Sequence, residues 1–306
     1  MLRASCARGV SLVELMIVLA VLGVAAGALS RIATRQQRNY RALATRSLAL
    51  GQLREGSDVL ASELAGLSPG AGDIYEDEMR DASIGFRAVL GSYLLCGPPP
   101  VGSSEIDVIR LSPTVSGGGP GGESAAARPA AGDSLWVHDA GVDIGGSEDG
   151  WSAHLITSAA TARGSCPPAS HGGGVELTRL TIIPAPRRSI APYAPARLFR
   201  RARYTLYRSS DAGWYLGFSD CRPLVRRPVC APMQPVSGPY LAYSPARATR
   251  PGGLTLDYLD RDGTPTGDRL AVAAIEVTLR AAVPTADGRP DTAVFGRVIA
   301  LRNAPR

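Results

Sequence analysis

Lysine is absent: all 33 basic residues of this 306-residue chain are arginine. A phosphate loop ending in Gly-Lys is therefore excluded, and a basic complement made only of arginine fits a GC-rich coding bias better than specific phosphate sites, which recruit both residue types. No Gly-x-Ser-x-Gly elbow and no His-Glu-x-x-His helix occurs. The three histidines, His138, His154 and His171, are scattered, and none of the five cysteines forms a Cys-x-x-Cys, so neither catalysis nor a zinc framework has a motif to stand on. Aromatics are few, at 4 Phe, 3 Trp and 10 Tyr, against 35 Gly and 24 Pro. That balance excludes a helical bundle and favours short strands with many turns. The net charge of +6 is small for the length and does not describe a nucleic-acid coat. A hydrophobic content of 45% is enough for a real core in one or two domains.

Long apolar runs are also missing, with one exception. Val10 to Leu29 holds a single charged residue, Glu14, and follows a short basic stretch with Arg3 and Arg8. As a helix these residues extend about 30 Å, the thickness of a bilayer's hydrocarbon core. Positive charge ahead of the span predicts a cytoplasmic N-terminus and an exported remainder. An ordinary secretory signal peptide, with Ala26-Gly27-Ala28 as its small-residue cleavage site, accounts for the run but not for Glu14. A carboxylate in mid-membrane costs about 2.5 to 3.5 kcal/mol, and a sequence with no use for it should lose it.

Arg8-Gly9-Val10-Ser11-Leu12-Val13-Glu14-Leu15 resembles the class III signal of type IV prepilins and type II secretion pseudopilins. The resemblance implies that prepilin peptidase cuts between Gly9 and Val10, that the apolar segment is kept, and that Val10 is the site of N-methylation. Glu14 becomes the fifth mature residue, and the new ammonium at Val10 of one subunit neutralises Glu14 of its neighbour in a filament. A buried charge is tolerable when paired and penalises misalignment when it is not. Val10 stands where the family usually has Phe, which bears on methylation. Arg31 stands where major pilins commonly carry Pro, and such pilins are about half as long. These departures point to a minor component.

From Ser30 to Leu67 the chain turns polar while Leu43, Leu50, Leu53, Leu60, Leu64 and Leu67 recur at steps of three, four and seven, which predicts an amphipathic continuation of the helix. The stripe suits packing on the chain's own head better than a partner seam, and the six arginines from Arg31 to Arg54 read as a solvated face. Asp81 to Phe86 predicts a turn into a short strand. Further strands are expected at Ile106–Leu111, Ser134–His138, Trp151–Thr157, Val175–Pro184, Ala202–Tyr207, Trp214–Phe218, Leu254–Leu259, Leu270–Val283 and Thr292–Leu301. The expected fold is α+β: a leader (1–9), a transmembrane helix (10–29), its amphipathic extension (30–67), and an exported β-rich pilin-like head (68–306) with a Gly/Pro-rich insert near 112–132. Tyr204 to Arg208, Asp257 to Gly263, Val272 to Leu279 and Phe295 to Asn303 resemble PilW-type minor pilins and, more distantly, the J-type minor pseudopilin of type II secretion.

Cys6 lies in the leader, leaving Cys96, Cys166, Cys221 and Cys230 exported, an even number in an oxidising compartment. Of three pairings, Cys221 with Cys230 around a short Arg/Pro loop, leaving Cys96 with Cys166, is preferred. Asp257, Asp260, Asp262 and Asp268 suggest calcium, but their spacing fails the EF-hand pattern and Asp262-Gly263 reads as a hairpin turn. Arg197, Phe199, Arg200, Arg201, Arg203, Tyr204 and Tyr207 interleave bases with rings, as a single-strand-binding surface does, though a half-buried strand gives the same alternation. No cofactor and no metal is expected. The family resemblance implies other minor pilins, a major pilin, prepilin peptidase, the inner-membrane assembly platform and the lipid bilayer as partners, with DNA the weakest. It also implies a place in the bacterial inner membrane and then in a pilus. A type II secretion pseudopilus, and a periplasmic enzyme or binding protein behind an ordinary signal peptide, are the alternatives.

Overall fold

The computed structural model describes residues 12–111, 128–138, 150–166, 175–186, 190–223, 228–245, 251–285, 287 and 289–304. One helix, α1 (Leu12–Leu64), precedes twelve strands: β1 (Ser83–Leu95), β2 (Glu105–Arg110), β3 (Ser134–His138), β4 (Trp151–Gly164), β5 (Val175–Ile183), β6 (Pro195–Arg208), β7 (Trp214–Pro223), β8 (Pro228–Cys230), β9 (Gln234–Tyr240), β10 (Leu254–Leu259), β11 (Ala274–Pro284) and β12 (Pro290–Ala300). The expected α+β class, a long N-terminal helix with a β-rich head, is the fold observed. Two compact units divide the chain: Met1–Gly51 with Ala282–Ala293, and Gln52–Ala281 with Val294–Arg306.

The first unit contains the apolar start of α1. Its helix is long and apolar enough to cross a membrane, and the apolar window is wholly unburied within the chain. The ends of β11 and β12 belong to the same unit, where Arg46 pairs with Asp291 at 3.3 Å.

In the second unit the chain builds a closed ring. Strands β1, β2, β5, β4, β3 and β6 pair antiparallel in that order, and β6 pairs back to β1 along Ser83–Leu94. Extra residues interrupt the register between Val89 and Gly91 and between Ile156 and Ser158. Such bulges raise local twist and bend, which lets a short sheet close on itself. Alternate residues of all six strands, among them Tyr93, Val108, Leu135, Ile156, Leu180 and Leu198, form one buried cluster. Closure leaves these six strands few free edges, the usual hazard of an exported sheet. Strand β7 continues from the far half of β6, and β8 and β9 pair with β7. A separate sheet runs β10-β11-β12.

The last turns of α1 pack on this head. Leu53, Leu60 and Leu64 are fully buried and Leu67 nearly so, which places the predicted stripe against its own domain. Leu43 departs from that expectation: it is 64% exposed. Gly56 permits the close approach, since a Cβ there would collide with Tyr240 Oη and Ser237 Oγ. Arg297 bonds Asp58 at 2.5 Å, and the backbone N–H of Arg302 donates to Ala65 O at 2.9 Å, tying the chain's end to the helix's end.

Candidate assembly site

The chemistry-bearing residue of the N-terminal segment is Glu14. It lies near the start of the described part of α1. Around it Leu12, Val13, Leu15, Met16, Ile17 and Val18 are each more than half exposed. Among the described residues no cation pairs with Glu14, and the helical surface around it is apolar. Gly9 and Val10, expected to flank the cleavage, and Cys6 lie outside the described residues.

Residues 5–30 match the prokaryotic N-terminal methylation motif. The match covers the end of the leader with Arg8, then Gly9, Val10, Glu14 and the apolar run, and it supports a type IV pilin-like or pseudopilin-like protein. Proteins with that motif are structural subunits rather than enzymes. With the apolar helix it is consistent with an inner-membrane anchor. No curated protein and no solved structure matches the chain.

The head places the other candidates. Cys96 is bonded to Cys166 and Cys221 to Cys230. Cys221 and Cys230 face each other across β7 and β8, while Cys96 and Cys166 are buried with Leu177 beside Ile109, Ala162 and Val175. The aspartate loop is a turn: Asp260 Oδ1 accepts from the backbone N–H groups of Asp262 at 3.0 Å and Thr264 at 2.9 Å, and Gly263 takes a φ of 77°. Asp268 likewise accepts from Leu270 N–H at 2.9 Å. No three His, Cys, Asp or Glu side chains converge on a metal position among the described residues. His154 is buried between Ser152 and the Pro184 carbonyl, and His138 meets the Trp151 ring edge-on. His171 lies outside the described residues.

The basic and aromatic residues of β6 do not make one exposed surface. Phe199 and Tyr204 are buried, and Tyr204 stacks on Phe86 with centroids 5.6 Å apart. Arg200 is 5% exposed; its Nε and Nη2 donate to the two oxygens of Asp133 at 2.7 and 2.8 Å, and Nη1 donates to Asp220 at 3.2 Å. Arg201 pairs with Asp77 and Glu78 and lies over the Tyr75 ring. Arg197 covers Trp151. Half-buried alternation, with acids from neighbouring segments meeting the arginines, explains the strand.

Sequence reasoning missed two features. Asp133 follows the Gly/Pro-rich insert and gave no sign of a partner 67 residues on. Glu63 sits on the helix face that meets the head, where burial pushes its carboxyl up to about 7. A signal existed for Glu63, because it stands three residues after Leu60 and four before Leu67 of the leucine stripe.

Proposed function

We propose that this chain is a minor pilin that joins other minor pilins and a major pilin to start or cap a type IV pilus. Prepilin peptidase cuts between Gly9 and Val10. Residues 10–29 then hold the subunit in the inner membrane with the new amino end cytoplasmic, residues 30–67 carry the helix outward, and residues 68–306 form the exported head. In the assembly platform the ammonium of Val10 on one subunit meets Glu14 of the next as the helices stack.

The observation that carries this reading is Glu14, an acid in the apolar, unburied window of α1 with no ion-pair partner among the described residues. An unpaired acid in lipid is costly, and an adjacent subunit's amine is the compensation that also sets register. Mass spectrometry of the mature N-terminus tests it. A start at Val10 is expected; a start at Leu29 or Ser30 assigns the protein to ordinary signal peptidase and overturns the reading. Gly9→Ala should block processing, whereas Glu14→Ala should be processed but poorly incorporated into filaments. Normal incorporation of the Glu14 variant removes the pairing argument.

A further inference from the structure

From Leu15 to Arg54 the chain has no acidic residue, yet it has six arginines, and five of them, Arg31, Arg35, Arg38, Arg41 and Arg46, follow the apolar run within 17 residues. A solvated helix face normally interleaves acids at i±3 and i±4, which this face cannot do. At 100° per residue Arg31, Arg35, Arg38 and Arg46 fall within about an 80° arc of α1. All four are exposed. Only Arg46 has an acidic partner among the described residues, Asp291. From the hairpin Asp287 also faces the row, across a cavity of about 290 Å³ that Arg38, Arg41, Thr45 and Thr285 line, but Asp287 pairs with Arg289. Arg31, Arg35 and Arg38 are thus a row of guanidinium groups with no ion-pair partner among the described residues.

Its position names the counter-charge. Counted from Leu29, Arg31, Arg35 and Arg38 rise about 3, 9 and 13.5 Å along the helix. The polar layer of a bilayer leaflet is about 5 to 8 Å deep beyond the hydrocarbon. Side chains of an α-helix lean toward its N-terminus, so all three guanidinium groups lean back toward that layer, and long arginine stems reach further by snorkelling.

We propose that Arg31, Arg35 and Arg38 bind the phosphates of anionic phospholipids in the leaflet from which α1 emerges, holding the subunit upright in the bilayer before assembly. The proposal rests on the reading that residues 10–29 span the membrane. Extraction into a filament then requires these lipid contacts to be exchanged for subunit contacts, which makes the row a brake on premature release.

The test uses the full chain. Flotation on vesicles of phosphatidylcholine alone examines the span; failure to float overturns the spanning reading and this proposal together. Native mass spectrometry from micelles then compares retention of phosphatidylglycerol and phosphatidylcholine. Wild type should retain phosphatidylglycerol preferentially, less so at high salt, and inorganic phosphate should not displace it. Each basic residue near an anionic surface is worth about fivefold in binding, so Arg31→Gln/Arg35→Gln/Arg38→Gln should lose on the order of a hundredfold. A control removing the same charge from the exposed head residues Arg163, Arg208 and Arg261 should lose none. Flotation with no lipid preference, or an equal loss in the control, overturns the proposal alone. So does a triple variant that keeps phosphatidylglycerol but fails to co-assemble, which would give the row to an acidic protein partner.

Discussion

At the scale of single residues, two charged groups show how burial decides worth. Glu63 titrates near 4.5 when exposed, and burial holds it at about 7 in the folded head. Below about pH 4.5 the carboxyl is neutral in both states and carries no penalty; as pH rises toward 7 the unfolded chain loses the proton first, so stability falls through that window and stays lower above it. Allowing for partial exposure, Glu63→Gln should stabilise the head by about 2 kcal/mol near pH 8 and leave it unchanged near pH 4, read from denaturant midpoints. A variant equally stabilising at both would show that burial of the charge is not the cause. The second group is Arg200, whose bidentate pair with Asp133 is buried. Asp133→Ala takes both fork bonds from a buried guanidinium that keeps Asp220 at 3.2 Å, and should cost about 3 kcal/mol. Arg179 makes the same fork on Asp107, at 2.8 and 2.9 Å, but is 51% exposed. Asp107→Ala should cost under about 1 kcal/mol.

Among the secondary-structure elements, what the sequence disclosed followed from whether neighbours were needed to recognise a strand. Ser134–His138 and Leu254–Leu259 alternate cleanly between turn signals, and β3 and β10 have those bounds. Strand β1 was expected to be short after Asp81 but runs to Leu95, because its stretch from Phe86 on is held by β6, a partner more than a hundred residues away. Strand β9, Gln-Pro-Val-Ser-Gly-Pro-Tyr, is not among the expected strands, since its two prolines and a glycine suit only a strand with one ladder, and β7 supplies that ladder. Leu270, expected to open β11, lies instead in the turn before Ala274, and Leu270 is 44% exposed. The insert was visible as composition, but residues 112–127 lie outside the described residues. The disulfides join these elements across unequal loops, 70 residues for Cys96–Cys166 and 9 for Cys221–Cys230. Loop-closure entropy then predicts that the double serine variant of the first pair loses about 4 kcal/mol and that of the second about 2.5. Equal losses in guanidinium unfolding would show that restraint of the unfolded chain does not set the difference.

For the whole molecule, the N-terminal segment and the head are governed by different solvents, and the chain makes them separable. The site was legible where the chemistry is local: Arg8 to Leu15 lies in one stretch, and Glu14 stands out against its neighbours without any structure. The ring of β1 to β6 was not legible, because closure depends on β1 meeting β6 across residues 96–194, and no periodicity reports a pairing at that distance. The two parts share α1, yet the apolar window of that helix contributes nothing to the buried clusters, whereas Leu53, Leu60 and Leu64 lie inside the head. Removing residues 1–29 should therefore remove the need for detergent without removing core area. A chain beginning at Ser30 should be soluble, form both disulfides, and unfold in one cooperative transition of the second unit at the midpoint of the full chain in micelles, as followed by circular dichroism. If instead the shortened chain aggregates or melts well below the full chain, the apolar helix contributes to folding the head, and its unburied surface is not reserved for lipid and neighbouring subunits.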